Sequence, residues 1–404
     1  MVARRLVLPW IHGKESRSDS QIFYIFVTDT LVMSKTSIIY YVCVTLALLL
    51  GFYACEDENV EPGLEIRQIS RLYVSFEEYG TSDERADTTI RMIQSADSSV
   101  FVFRESHVSQ VQGGGPIYFS PFAKTIFQAS VNSEETSNEL DTVIAAVSVQ
   151  QTGLLNNAGN GIRSRYYNKV RGFVYHAATR SLLVVNGAGA DAGIYVVDNP
   201  SSTGNQKQPY KKLLNPDLDM WGAAYQNDRL FTAKISAPAG LYMFQNLTTM
   251  SVRASDSVAT LNPARILQIE DASINLRGLS YDTIKNVMAI AEMGDGTTVG
   301  SGRILIFENF SDLIQGTAEV IRPSRVITGP NTGLISPVDV AIDMRASGVY
   351  LYVADRAAKK VSRFRYTDDG NVEPDEVIDT SDLGYGETPV GLALDARDDS
   401  TVGR

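Results

Sequence analysis

RGFVYHAATRSLLVVNGAGADAGIYVVDNPS (residues 171–201), WGAAYQNDRLFTAKISAPAGLYMFQNLT (221–248), RGLSYDTIKNVMAIAEMGDGTTVGSGRILIFENFS (277–311) and PVDVAIDMRASGVYLYVADRAAKKVSRFRYTDDG (337–370) can be laid over one another. Each reads as strand, turn, strand, loop, strand. A unit of about 50–60 residues made only of short β-runs points to a propeller, because neighbouring blades must cover both faces of each four-stranded sheet. The openings Gly172, Gly222, Gly278 and Asp339 are spaced by about 50, 56 and 61 residues, and TPVGLALD around Gly391 follows after about 52 more. An earlier opening in GGPIYFSPFAK lies about 56 residues before Gly172.

That makes six openings. Only an inner strand follows the last one, whereas SRLYVSFEEYG from Ser70, DTTIRMIQ from Asp87 and SVFVFRESHV from Ser99 are three β-runs without an inner strand of their own. The expectation is an all-β, six-bladed β-propeller over residues 69–404, closed by a mixed blade that joins the two ends of the chain. Such pairing removes two open sheet edges, which otherwise recruit foreign strands. A truncated seven-bladed ring is the competing count.

The second runs of the units (SLLVVNG, RLFTAKI, NVMAIAE, VYLYVAD) and the third (GIYVVDN, GLYMFQN, RILIFEN) are rich in β-branched and aromatic residues. LNPARILQIEDASINL (261–276) reads as an outer strand, and Asp368-Asp369-Gly370-Asn371 as a hairpin turn.

The fifth unit carries a family resemblance. PVDVAID (337–343), the YVAD-like strand in GVYLYVADRAAKKVSRF (348–364), TDDGN (367–371) and the partner PVGLALD (389–395) resemble the NHL repeat. The resemblance implies a propeller used for binding. More weakly, it implies kinship with gluconolactonase-like six-bladed hydrolases, whose metal-binding residues have no motif here.

The N-terminus reads as a targeting segment. Met33-Ser34-Lys35, the apolar run IIYYVCVTLALLLGFYA from Ile38, and Cys55 followed by EDENVEPG have the layout of a bacterial lipoprotein signal. Phe52 and Tyr53 depart from the usual lipobox, and an uncleaved membrane anchor is the alternative, since about 17 apolar residues are near the span of a bilayer. The resulting division is a mis-assigned or disordered extension (1–32), a signal peptide (33–54), an acidic tether (55–68) and the propeller (69–404). It implies lipidation at Cys55, a membrane-anchored lipoprotein of the bacterial cell envelope, and placement at the outer membrane with exposure at the cell surface.

Composition narrows the chemistry. A net charge of −11 repels phosphate backbones and argues against nucleic acid. Cys43 and Cys55 are the only cysteines, so the exported body has no thiol nucleophile, disulfide or Cys-based zinc site. Of the three histidines, His12 lies in the extension, while His107 and His176 read as packed strand residues. No GxSxG elbow is present, and no catalytic residue is assigned.

Ligands of propellers meet the face where the loops before inner strands and after second strands converge on the channel. That face would present Arg171, Trp221, Arg277, Asp339 and Asp355 as ligand-binding candidates. Asp191, Glu292, Asp295 and Asp355 are candidate ligands of Ca²⁺ or another divalent cation, which needs several oxygens. The leading expectation is a binding or scaffold module for a protein or carbohydrate. The alternative is a metal-dependent lactonase in which a channel cation activates water.

Overall fold

The computed structural model describes residues 68–77, 88–132, 140–157, 161–201, 208–384 and 387–401. The extension, the signal segment, Cys55 and the tether up to residue 67 lie outside the described residues.

Blades 1 to 5 follow one another along the chain, each with its inner strand first, and a sixth sheet joins the two ends. Blade 1 is Ile117–Ser120, Thr125–Ala129, Val143–Val149 and Leu155–Asn157, with Ile162–Arg163 beside the third strand. Blade 2 is Val170–His176, Ser181–Asn186, Gly193–Asp198 and Lys211–Leu214, and blade 3 is Met220–Gln226, Arg229–Lys234, Gly240–Gln245 and Arg265–Ile269. Blade 4 is Leu276–Asp282, Val287–Glu292, Arg303–Glu308 and Arg325–Thr328, and blade 5 is Pro337–Ile342, Tyr350–Asp355, Lys360–Arg365 and Glu376–Asp379. Blade 6 is the mixed one. Its inner strand Pro389–Arg397 pairs antiparallel with Ile69–Phe76, which continues to Ile90–Ile93 and Glu105–His107.

The ring is closed by packing as well as by pairing. Six separate apolar cores lie one between each pair of adjacent blades, including one between blades 5 and 6 and one between blades 6 and 1. The second strands show why their sequences run apolar instead of alternating. Leu182 and Val184 face blade 1 while Leu183 and Val185 face blade 3, so the period of two sends every residue into one core or the other. Each such side chain stabilises by about 1.5–3 kcal/mol relative to exposure, so a blade missing either neighbour would lose half its driving force. The chain is a six-bladed β-propeller.

The outer rims differ from the expected plan. Residues 261–276 do supply the outer strand of blade 3, Arg265–Ile269. Beyond it the loop of the next blade adds a fifth, parallel strand: Val258–Thr260 pairs onto blade 2 and Val320–Ile321 onto blade 3. These strands cover edges that four-stranded blades would leave open, while the short helix α1 (Phe310–Gln315) sends Phe310 and Ile314 into the core between blades 3 and 4.

The run from Ser99 is strand only at Glu105–His107. Phe101 instead stacks on Tyr352 of blade 5 (6.0 Å between centroids), and Arg363 of blade 5 donates to the carbonyls of Ala96 and Ser98. That segment is spent on sealing the closing junction. The Asp368–Asn371 segment is likewise more than a hairpin turn. Asp369 accepts the Val326 N–H (2.9 Å) and Asn371 accepts the Asn331 N–H (2.8 Å), clasping blade 5 to blade 4.

Candidate ligand site at the channel mouth

The six openings meet around one end of the channel. A Cβ on Gly172 would stand 2.7 Å from the backbone of Gly222, one on Gly222 3.2 Å from the Arg277 carbonyl oxygen, and one on Gly391 2.6 Å from that of Gly115. Gly278 lies against the Asp339 carboxyl in the same way. The remaining junctions are bridged by hydrogen bonds, Arg171 to the Val131 carbonyl (2.7 Å) and the Leu392 N–H to Asp339 (2.8 Å). Glycine is required at these positions because inner strands touch backbone to backbone, and Gly222 also takes a φ of 68°.

Trp221 stands at the opening of blade 3, half-buried, and receives a guanidinium from each neighbouring blade. Arg171 and Arg277 each lie 4.5 Å from its ring. A guanidinium attracted to an indole face by its charge still keeps N–H donors for other partners. Arg171 spends donors on the carbonyls of Val131 and Val170, whereas Arg277 makes one hydrogen bond, to the Leu276 carbonyl (2.8 Å). Burial pulls the Arg277 pKa down to about 10, so the group is desolvated yet charged at neutral pH.

Asp339, at the opening of blade 5, accepts the N–H groups of Val340 (2.9 Å) and Leu392 (2.8 Å). Burial pushes its carboxyl up to about 7 against the pull of those two donors. Asp339 therefore latches blade 5 to the closing strand while lining the mouth.

The proposed cation ligands do not come together. Glu292 is buried at the end of a second strand, accepts the Ser273 N–H (2.6 Å) and takes Arg303 Nε (2.7 Å). Asp355 is fully buried and accepts the N–H groups of Ile335, Ser336 and Ala358 at 2.7–3.0 Å. Its pKa is nonetheless raised, because desolvation outweighs those bonds. Exposed Asp295 caps its own turn through Thr297 and Thr298, which lowers its pKa, and Asp191 meets the Asn168 amide at 3.3 Å. Among the described residues no three His, Cys, Asp or Glu side chains are grouped as a cation site. His107 bonds to Asn157 (2.9 Å) and His176 to Thr179 (2.6 Å), both away from the mouth.

Aligning the last residue of each second strand shows what those acids do. Asn186, Lys234, Glu292 and Asp355 occupy one position in blades 2 to 5, and all are buried. Asn186 accepts the Lys169 N–H (2.8 Å), two residues before Arg171, just as Glu292 and Asp355 hold the loops leading to Arg277 and Pro337. Lys234 donates to the carbonyls of Ser236 and Pro238. The position anchors the mouth loops. Lys234 was not among the expected residues, although the alignment of strand ends contains the signal.

No family model matches the chain, and no curated protein matches it. Among solved structures, a candidate 6-phosphogluconolactonase from Bacteroides uniformis ATCC 8492 is similar with a TM-score of 0.47 at 13% identity, over 81% of this chain and 99% of that one. Another from Bacteroides fragilis NCTC 9343 gives 0.47 at 11% identity, over 81% and 98%. The WD40 β-propeller domain of Doa1 gives 0.34 at 10% identity, over 63% and 64%. Likeness at this level carries no argument, and the architecture stands on the six sheets and six interblade cores.

Proposed function

We propose that the protein is a lipid-anchored, extracytoplasmic binding module of NHL type whose ligand seats on the channel mouth formed by the inner-strand openings. The observation that carries this reading is the Arg171–Trp221–Arg277 cluster, where two guanidiniums converge on one indole at the rim of an otherwise acidic protein. Loops anchored from below by Asn186, Glu292 and Asp355 give the mouth a fixed shape, which lowers the ordering cost of binding. Binding of the full chain to panels of oligosaccharides and peptides, compared with Trp221→Ala, tests the reading. Hits that disappear in the variant support it, and hits that persist unchanged overturn the placement of the site.

The envelope assignment rests on the layout around Cys55. Cys55→Ala is expected to abolish membrane association and shift mobility on a gel, and unchanged membrane association with unchanged mobility would remove the lipid. The metal-dependent hydrolase reading needs oxygens gathered at one mouth. Glu292, Asp295 and Asp355 are instead committed to separate partners, so the residues present do not fit such a centre. A stoichiometric divalent ion in the purified protein, whose chelation lowers the melting temperature, would reverse that preference.

A further inference from the structure

From the Arg277 side chain we infer that the ligand of the channel mouth carries a carboxylate, which seats on this guanidinium beside Trp221. The inference rests on the binding reading above and specifies its chemistry. Three observations converge on it. Arg277 is half-buried, lies over the Trp221 ring at 4.5 Å, and has one hydrogen bond, to Leu276, with no ion pair among the described residues. None of its nitrogens is among the sealed, partnerless side-chain atoms of the protein, so its remaining N–H donors are reachable from solvent. The acids of the same face are committed elsewhere: Glu292 to Arg303, Asp339 to Val340 and Leu392, and Asp355 to three backbone N–H groups.

A desolvated cation without a counter-charge is costly, and Arg277 shares the indole with a second guanidinium, Arg171. An anion relieves that desolvation. A guanidinium offers paired N–H donors in a fixed fork, the geometry that a carboxylate accepts. The charge of the ligand follows from the surroundings. Arg171 already serves the carbonyls of Val131 and Val170, which leaves Arg277 as the principal cation for a ligand, and the net charge of −11 disfavours dianions such as phosphate monoesters. A monoanion matches one cation.

The test uses Trp221 as its own reporter. The chain has two tryptophans, and the full chain carrying Trp10→Phe has Trp221 alone. Its fluorescence is titrated with acetate, with acetamide as the neutral isostere, with sodium chloride at matched ionic strength, with inorganic phosphate and with glucose. The expected result is a saturable change with acetate and none with acetamide or chloride. Arg277→Gln should weaken the response at least about tenfold, the loss of roughly 1.4 kcal/mol of binding. Arg277→Lys should keep part of it, and melting temperatures of both variants show whether they fold. An equal response to acetamide or chloride, tighter binding of phosphate than of acetate, an unaltered response in Arg277→Gln, or no response at all overturns the inference. A response to glucose without one to acetate overturns the carboxylate but keeps the channel-mouth site, so the two readings fail separately.

Discussion

The two ends of the inner strands have opposite habits. At the end where the strand turns back, blades 4, 5 and 6 repeat one device: Asp282, Asp343 and Asp395, each at most 1% exposed, hold Lys285, Arg345 and Arg397 two or three residues on. In blade 4 the same Asp282 accepts the Ile284 N–H (2.8 Å), fixing the hairpin. At the opening end the residue just before the close approach of the inner strands differs from blade to blade: Arg171, Trp221, Arg277 and Val338 precede Gly172, Gly222, Gly278 and Asp339. A position that only has to close a turn tolerates the same solution in three successive blades. A position that faces a ligand needs a different group from each blade, because the ligand does not share the symmetry of the ring. Repetition therefore marks the turn end, and variety at the opening end is what the proposed binding reading expects.

The largest effect is expected at the repeating end. Asp343→Ala leaves the Arg345 guanidinium, 3% exposed, with Asp97 (2.7 Å) as its remaining acidic partner. Removing one member of such a buried pair costs about 3–5 kcal/mol, read as a lowered urea midpoint, while the folded fraction keeps its response at Trp221. Trp221→Ala should do the reverse. It loses two cation–π contacts and part of a half-buried ring, about 2 kcal/mol, and abolishes ligand binding. If Trp221→Ala proved the more destabilising of the two, the opening end would be structural as well and the contrast would collapse.

This contrast also explains what the sequence made legible. The six openings and the mixed closing blade follow from spacing alone, because every inner strand needs a partner strand and two neighbouring blades. The parallel fifth strands and helix α1 were not legible, since Val258–Thr260 finds its partner in Lys211–Leu214, a whole blade earlier in the chain. At the mouth, the spacing put Arg171, Trp221 and Arg277 at successive openings, but did not show that both guanidiniums lie over one indole, which depends on side-chain direction across blades. The carboxylates Glu292 and Asp355 misled for a physical reason. An acid after a strand reads as a loop charge, whereas here it is the strand's last buried residue, and its partners are backbone N–H groups that leave no trace in the sequence.

Asp339 belongs to both ends of the comparison, since it lines the mouth and latches blade 5 to the closing strand, and pH separates the two roles. Burial raises its carboxyl pKa in the folded protein to about 7, from about 4 when unfolded. Between those values the folded state binds the extra proton, so this group's contribution to stability is full below about pH 4 and is lost as pH rises through about 7. The slope is at most about 1.4 kcal/mol per pH unit, that of a single proton. Asp355, also raised, runs the same way, while Asp295 and Asp379, both lowered, run oppositely, so the difference between wild type and Asp339→Asn isolates the effect. The amide keeps one acceptor for the two N–H groups and lowers stability by a constant amount, but removes this titration. Urea midpoints measured from pH 4 to 8 should therefore converge as pH rises, with wild type falling towards the variant. Parallel curves would mean that Asp339 is ionised throughout and that channel water, not the closing strand, sets its environment.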